Sequence, residues 1–180
     1  MTQRRKNLKA IWAQTSDGFI ADSQDQIPVR DPADMARFKE LTSREEGALI
    51  MGRVTWYTLP RRPLPGRLNI VMSRSATPVE VRPIGIVIEN LLQMSSLEEV
   101  LAEVDANPLR PYWVIGGKEI YDLFMPYVTV CDVCRWPDVL NDPAGVKAPE
   151  LAEQYRTILD FESDKPLTFK GKIYQRIQMS

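Results

Sequence analysis

Short apolar runs that break off at a polar or glycine turn recur along this chain, and they constrain its fold more than any other feature. Residues 8–14 (Leu-Lys-Ala-Ile-Trp-Ala-Gln), 48–51, 68–72 and 112–115 are of strand length and too short for buried helices. Helix signals lie between them. Asp31 stands as an N-cap with Pro32 at the first helical position, predicting a helix through about Thr42. Residues 54–58 can start a helix that Pro60, Pro63 and Pro65 forbid from continuing. Ser96-Leu97-Glu98-Glu99 matches a capping box, and Leu97, Val100, Leu101 and Val104 form one apolar helical face. After Gly116-Gly117 a further helix is expected through Phe124, ending at Pro126. Strands are also expected at 84–88, 128–136, 155–162 and 173–178, the last two separated by Asp164, Pro166 and Gly171. Strands alternating with helices predict a single α/β domain over residues 1–180. Its central, mainly parallel twisted sheet is flanked by helices, and an antiparallel C-terminal hairpin closes one edge.

Composition narrows the function classes. With 23 Lys and Arg against 24 Asp and Glu, the net charge is -1, so no global basic field invites nucleic acid or an anionic membrane. The basic start, Met1-Thr2-Gln3-Arg4-Arg5-Lys6, is followed by Lys9, Gln14, Ser16 and Asp17 before an apolar signal region develops, so no signal peptide is expected. No apolar stretch is long enough to cross a membrane, and a cytoplasmic protein is expected. The chain has no His, which removes Ser-His-Asp and Cys-His nucleophile pairs and the commonest transition-metal ligand; no metal site is expected. Cys131 and Cys134 have redox or zinc spacing, but they lie in a β-branched run where residues i and i+3 project from opposite faces.

Ligands of such sheets gather beyond the carboxyl ends of the parallel strands, which directs attention to the loops after Gln14, Met51, Met72 and Ile115. Residues 15–30 form a long polar stretch suited to a lid or binding loop. Asp34, in the first turn of the next helix, is favoured there by the macrodipole alone. Its neighbours Met35, Phe38 and Leu41 add a second reading: an acid on an apolar wall, fitted to a multi-donor edge such as that of a pterin. Gly52-Arg53-Val54-Thr55 and Ser73-Arg74 each set a guanidinium after a strand, where an anion can meet free N–H groups. Gly116-Gly117 permits close backbone approach to a pyrophosphate or simply makes a tight turn. Arg67, after Pro65-Gly66, is either a carboxylate clamp or part of a solvated basic turn with Arg61 and Arg62.

Taken in order from about Leu8 to Pro126, these segments resemble the dihydrofolate reductase family. The matching stretches are Ile11-Trp12-Ala13-Gln14 with Asp17-Gly18; Pro32-Ala33-Asp34 with Phe38 and Thr42; and Met51-Gly52-Arg53-Val54-Thr55-Trp56. Arg62-Pro63-Leu64-Pro65-Gly66-Arg67, Asn69 to Ser73, and Val114-Ile115-Gly116-Gly117 with Tyr121 complete the series. The resemblance implies hydride transfer from NADPH to C6 of 7,8-dihydrofolate with protonation of N5, carried out by a monomer. It implies Asp34 as the pocket acid and Arg67 as the clamp on the glutamate α-carboxylate. Ile11, Ala13, Met35, Phe38, Leu59, Leu64, Ile115 and Cys134 would line the substrate site. Ala13, Ile20, Gly52, Arg53, Val54, Thr55, Ser73, Arg74, Gly116, Gly117, Lys118 and Tyr121 would meet the cofactor, with Arg53 and Arg74 on its 2′-phosphate.

The chain departs from the family pattern in several places. Val29 stands where a Trp follows the loop proline, and the loop from Ile20 to Pro28 is one residue longer, with Ala21 at a common glycine position. Cys134 replaces a Thr that supports the acid, which leaves water as an alternative partner for Asp34. Lys118 takes the place of a third glycine and offers a compensating charge for Glu119, which falls where an Arg often assists the cofactor phosphate. Two other functions fit this fold: a pyrimidinone reductase of riboflavin synthesis, and a non-catalytic folate- or NADPH-binding protein.

Overall fold

The computed structural model of the chain describes residues 5–28, 30–82, 89–151, 153, 155–162 and 169–177. Its strands are β1 (Leu8–Gln14), β2 (Phe19–Ala21), β3 (Ala48–Gly52), β4 (Leu68–Met72), β5 (Leu91–Met94), β6 (Tyr112–Gly116), β7 (Val130–Arg135), β8 (Val146–Lys147), β9 (Tyr155–Glu162) and β10 (Lys170–Arg176). Four α-helices join them: α1 (Pro32–Ser43), α2 (Arg53–Thr58), α3 (Leu97–Ala106) and α4 (Lys118–Phe124). An eight-stranded sheet runs in the order β5-β4-β3-β6-β1-β7-β10-β9. Pairing is parallel from β5 through β7, and β10 and β9 close the edge antiparallel, as expected from sequence.

The alternation of side chains along the strands builds two cores. One face gathers Leu8, Ala10, Trp12, Ala48, Ile50 and Val114 against Val100, Leu101 and Val104 of α3 and Tyr121 and Phe124 of α4. The other gathers Ile11, Leu49, Met51, Val71 and Trp113 against Trp56 of α2 and Phe38 and Leu41 of α1. Burying each such large apolar side chain contributes about 1.5–3 kcal/mol. The cysteines obey the same alternation, since Cys131 belongs to the first core while Cys134 packs with Trp136 and Phe169; both are free and buried.

Several boundaries differ from expectation. The 15–30 stretch contains β2, which pairs with β8 in a separate two-stranded sheet, and neither strand has a strong local signature because each is short and held by its distant partner. The expected run at 84–88 and Val29 lie outside the described residues. Edge strand β5, at 91–94, pairs with β4. The 128–136 strand contracts to 130–135, and β10 begins at 170 instead of 173 and runs to 176, with Gln178 of the expected run outside the described residues. Among the described residues no helix is long and apolar enough to cross a membrane.

Two irregularities shape the functional end of the sheet. β1 pairs with β6 only as far as Ala10↔Val114, whereas its ladder with β7 continues to Gln14↔Arg135. The carboxyl-terminal halves of β1 and β6 are therefore not joined. Beside this, the β3–β6 register slips between Ile50 and Met51, so that Met51 opposes Gly116 and Ile115 is the extra residue. A bulge of this kind re-aims a side chain at the rim of a sheet.

Candidate functional site

Helix α1 carries the acid. The Asp31 carboxylate accepts from the N–H groups of Ala33 (2.6 Å) and Asp34 (3.1 Å), and with Pro32 it fixes where the helix begins. Thr42 is the only fully buried residue of α1, and Asp34 and Phe38, on the same face, are half-buried. Asp34, Phe38 and Thr42 follow one another at i, i+4 and i+8, a span of about 12 Å along the axis.

Burial raises the proton affinity of the half-buried Asp34 carboxyl, and the charges of Asp31 and Asp132 add to this. A hydrogen bond from the Cys134 thiol and the positive charge of Arg37 oppose the rise. Cys134, not water alone, thus supports the acid. Its own thiol is held protonated by burial and by the neighbouring Asp34 charge. Beneath them the Arg37 guanidinium donates to both oxygens of Asp132, Nη1 to Oδ1 at 2.6 Å and Nη2 to Oδ2 at 2.5 Å.

At the other end of this helix face lies Arg67. Its Nη1 donates to Thr42 Oγ1 (2.8 Å), its Nε to the Pro65 carbonyl (3.2 Å), and its guanidinium sits 5.8 Å from the Phe38 ring centroid. Only 5% of the residue is exposed, and burial pulls its proton affinity down; among the described residues no carboxylate forms an ion pair with it. Buried Asn69 holds the turn that delivers it, bonding both N–H and carbonyl of Leu64 and the carbonyl of Arg67. Arg62, one of the arginines of the basic turn, is buried and bonded to the Glu80 carbonyl.

Between these charged ends the structure brings Ile11, Phe38, Leu59, Leu64 and Ile115 into one apolar cluster. Ala13 lies beside Cys134 in the adjoining one. Met35, 54% exposed, lies outside both clusters. The Ile11 carbonyl accepts from the buried Tyr121 hydroxyl at 2.8 Å, whose proton burial retains far into alkaline pH.

A second group forms where the β3–α2 and β6–α4 turns meet. A Cβ on Gly117 would lie 3.6 Å from Thr55 Oγ1, and one on Gly52 would lie 3.1 Å from the Ile120 side chain. Gly116 has φ +114°, and a Cβ there would approach Tyr121 to 3.1 Å, so only glycine fits without strain. No side chain caps α2 or α4 at Gly52 or Gly117, which leaves their first-turn N–H groups for another acceptor. Arg53 Nη1 reaches Ser73 Oγ at 3.2 Å, while Arg74 is exposed beside it. Lys118 is committed to Asp122 at 2.5 Å, so its charge is already matched within α4. Val54 is more than half exposed, and Ile20 packs on the opposite core.

Sequence reasoning missed the Arg37–Asp132 pair and two loop clamps. The Asp17 carboxylate accepts from Thr15 Oγ1 (2.6 Å) and from the N–H groups of Leu140 (3.2 Å) and Asn141 (2.9 Å), which hold its proton affinity down to about 2. Asp142 accepts from the Ser23 N–H at 2.9 Å. The signal for the buried pair was a charged residue two positions from Cys134 in an apolar strand, which demands a partner.

A family model described as dihydrofolate reductase matches residues 7–165. A dihydrofolate reductase of Mycobacterium tuberculosis (strain CDC 1551 / Oshkosh) is 40% identical over 149 residues, covering 81% of this chain and 82% of the relative. One from Mycobacterium leprae (strain TN) is 38% identical over 148 residues, with the same two coverages. The solved dihydrofolate reductase from Enterococcus faecalis, complexed with NADP(H) and RAB-propyl, superposes with a TM-score of 0.75 at 26% identity, over 97% of this chain and 99% of that one.

Proposed function

This chain belongs to the dihydrofolate reductase family, and from that premise we propose how its own residues carry out the NADPH-dependent reduction of 7,8-dihydrofolate to 5,6,7,8-tetrahydrofolate. One observation carries the reading: a half-buried acid and a buried guanidinium stand at opposite ends of one helix face, with apolar side chains between them. Asp34 binds the 2-amino group and N3 of the pterin and favours protonation at N5, and burial raises its proton affinity. Phe38, Leu59, Leu64 and Ile115 enclose the rings, and Arg67, which pairs with no carboxylate among the described residues, receives the glutamate α-carboxylate.

The second group of residues fits NADPH. Arg53, Ser73 and Arg74 offer two guanidinium groups and a hydroxyl to the 2′-phosphate, and the glycine turns leave backbone N–H groups open where a side chain would intrude. Bound NADPH supplies the hydride that C6 of the dihydropterin receives. The unpaired ends of β1 and β6 are where its ring and the pterin would meet. The pyrimidinone-reductase and binding-protein alternatives lose their support, since the matching family and relatives are dihydrofolate reductases. A single chain supplies both groups of residues, which supports a monomeric, one-domain enzyme, and its buried free thiols suit the reducing cytoplasm.

The test is loss of reduced-nicotinamide absorbance when purified protein meets NADPH and dihydrofolate. Wild type oxidises NADPH; Asp34→Asn lowers kcat/KM by about 10²- to 10⁴-fold with NADPH affinity unchanged. Binding of both ligands without oxidation by wild type would sink the proposal.

A further inference from the structure

The Arg37–Asp132 pair lies beside the substrate acid, and neither member is itself assigned to substrate. Asp132 is 2% exposed and the Arg37 side chain 21%. A buried pair of this kind gains little stability over two apolar side chains of similar volume. Its effect falls instead on Asp34. Arg37 is three residues on from Asp34, so both side chains leave α1 on the same face and Arg37 can reach the Asp34 carboxyl. Asp132 and Cys134, two apart on β7, face them together, and Arg37 Nη1 also approaches Cys134 Sγ at 3.8 Å.

We propose that Asp132 is a positioning residue: it holds the Arg37 guanidinium on β7, away from the Asp34 carboxyl, and so keeps that carboxyl open to the amidine-like edge of the substrate. The inference rests on the reading of Asp34 as the substrate acid. The charged and titratable groups that act on Asp34 are Asp31 and Arg37 from α1 and Cys134 and Asp132 from β7. Arg37 and Asp132 act on it with opposite signs, and the Arg37 effect is the larger, so Asp132 offsets part of the positive charge that Asp34 feels. Without Asp132 to hold it on β7, the Arg37 guanidinium would turn to Asp34 and compete with the substrate for the same oxygens.

The experiment follows the Asp34 carboxyl by ¹³C NMR in the ligand-free full chain, together with the KM for dihydrofolate and the Kd for NADPH. In Asp132→Asn, the Asp34 midpoint falls by about one pH unit and KM rises about tenfold, while the NADPH Kd holds. Asp132→Glu keeps the pair and behaves as wild type. Arg37→Met combined with Asp132→Leu removes both charges, so the midpoint no longer falls below that of wild type and KM recovers towards it, which a merely structural role for Asp132 would not do. If the amide unfolds the strand, Asp132→Ser, with room for water, takes its place and carries the same expectation. An unmoved Asp34 midpoint in the folded single variant overturns the inference even if wild type is fully active. Absent turnover by wild type would instead remove the reading of Asp34, and the NMR midpoint would still report on the pair.

Discussion

At the scale of single residues, chemistry depends on groups whose ionic state the surroundings have shifted. Asp34 gains proton affinity on folding, so its charge weakens the folded state above its raised midpoint and has no effect below its ordinary value of 3.8. Asp34→Asn is therefore expected to melt higher than wild type at pH 7 while losing activity, with the difference closing below pH 3.8; thermal melts across that range check it. Arg67 presents the reverse problem, a buried cation with no acid paired to it among the described residues. Arg67→Leu should raise KM for dihydrofolate by roughly 10- to 100-fold, as expected for losing a charge-assisted hydrogen-bonded pair. A pterin substrate lacking the glutamate should be turned over equally by both forms, and steady-state kinetics on the two substrates would expose any other cause.

At the scale of elements, the ends of helices and strands set the site. α1 starts where it does because Asp31 caps it, and the same carboxylate raises the proton affinity of Asp34. Asp31→Asn retains a good cap and removes the charge, so stability should hold while the Asp34 midpoint falls; Asp31→Ala should cost about 1 kcal/mol in denaturant melts. The capping box before α3 was legible as a motif. In the structure Ser96 Oγ accepts from Glu99 N, and the Glu99 carboxylate accepts chiefly from the N–H and hydroxyl of Ser95. In β6 the bulge at Ile115 and the φ of Gly116 form one device. Gly116→Ala meets Tyr121, whose hydroxyl ties α4 to β1, and should lower both melting temperature and NADPH affinity. Gly117→Ala, with only an ordinary 3.6 Å contact, should lower cofactor affinity with little loss of stability; calorimetry and titration separate the two.

At the scale of the molecule, the sheet order brings distant segments to one rim, and Ser16, Asp17 and Ser23 are tied to residues 138–142. Asp17 is depressed to about 2, so its contribution to stability is fully present above pH 3.8 and lost as pH falls towards 2. Asp17→Asn should thus melt lower at neutral pH and match wild type near pH 2. Amide exchange at Leu140 and Asn141 should quicken in that variant if the clamp is broken, and unchanged protection would refute it.

By itself the sequence determined the local vocabulary: strand runs, the caps at Asp31 and Ser96, the glycine turns, and the order of motifs that placed the chain in its family. These rest on periodicity and on backbone preferences of neighbouring residues, which act within a few positions. Tertiary structure alone decided that β2 would find β8, that β1 and β6 would part beyond Ala10 and Val114, and that Arg37 would meet Asp132 across 95 residues. Such pairings depend on which side chains lose water together, and no local pattern in the chain records that.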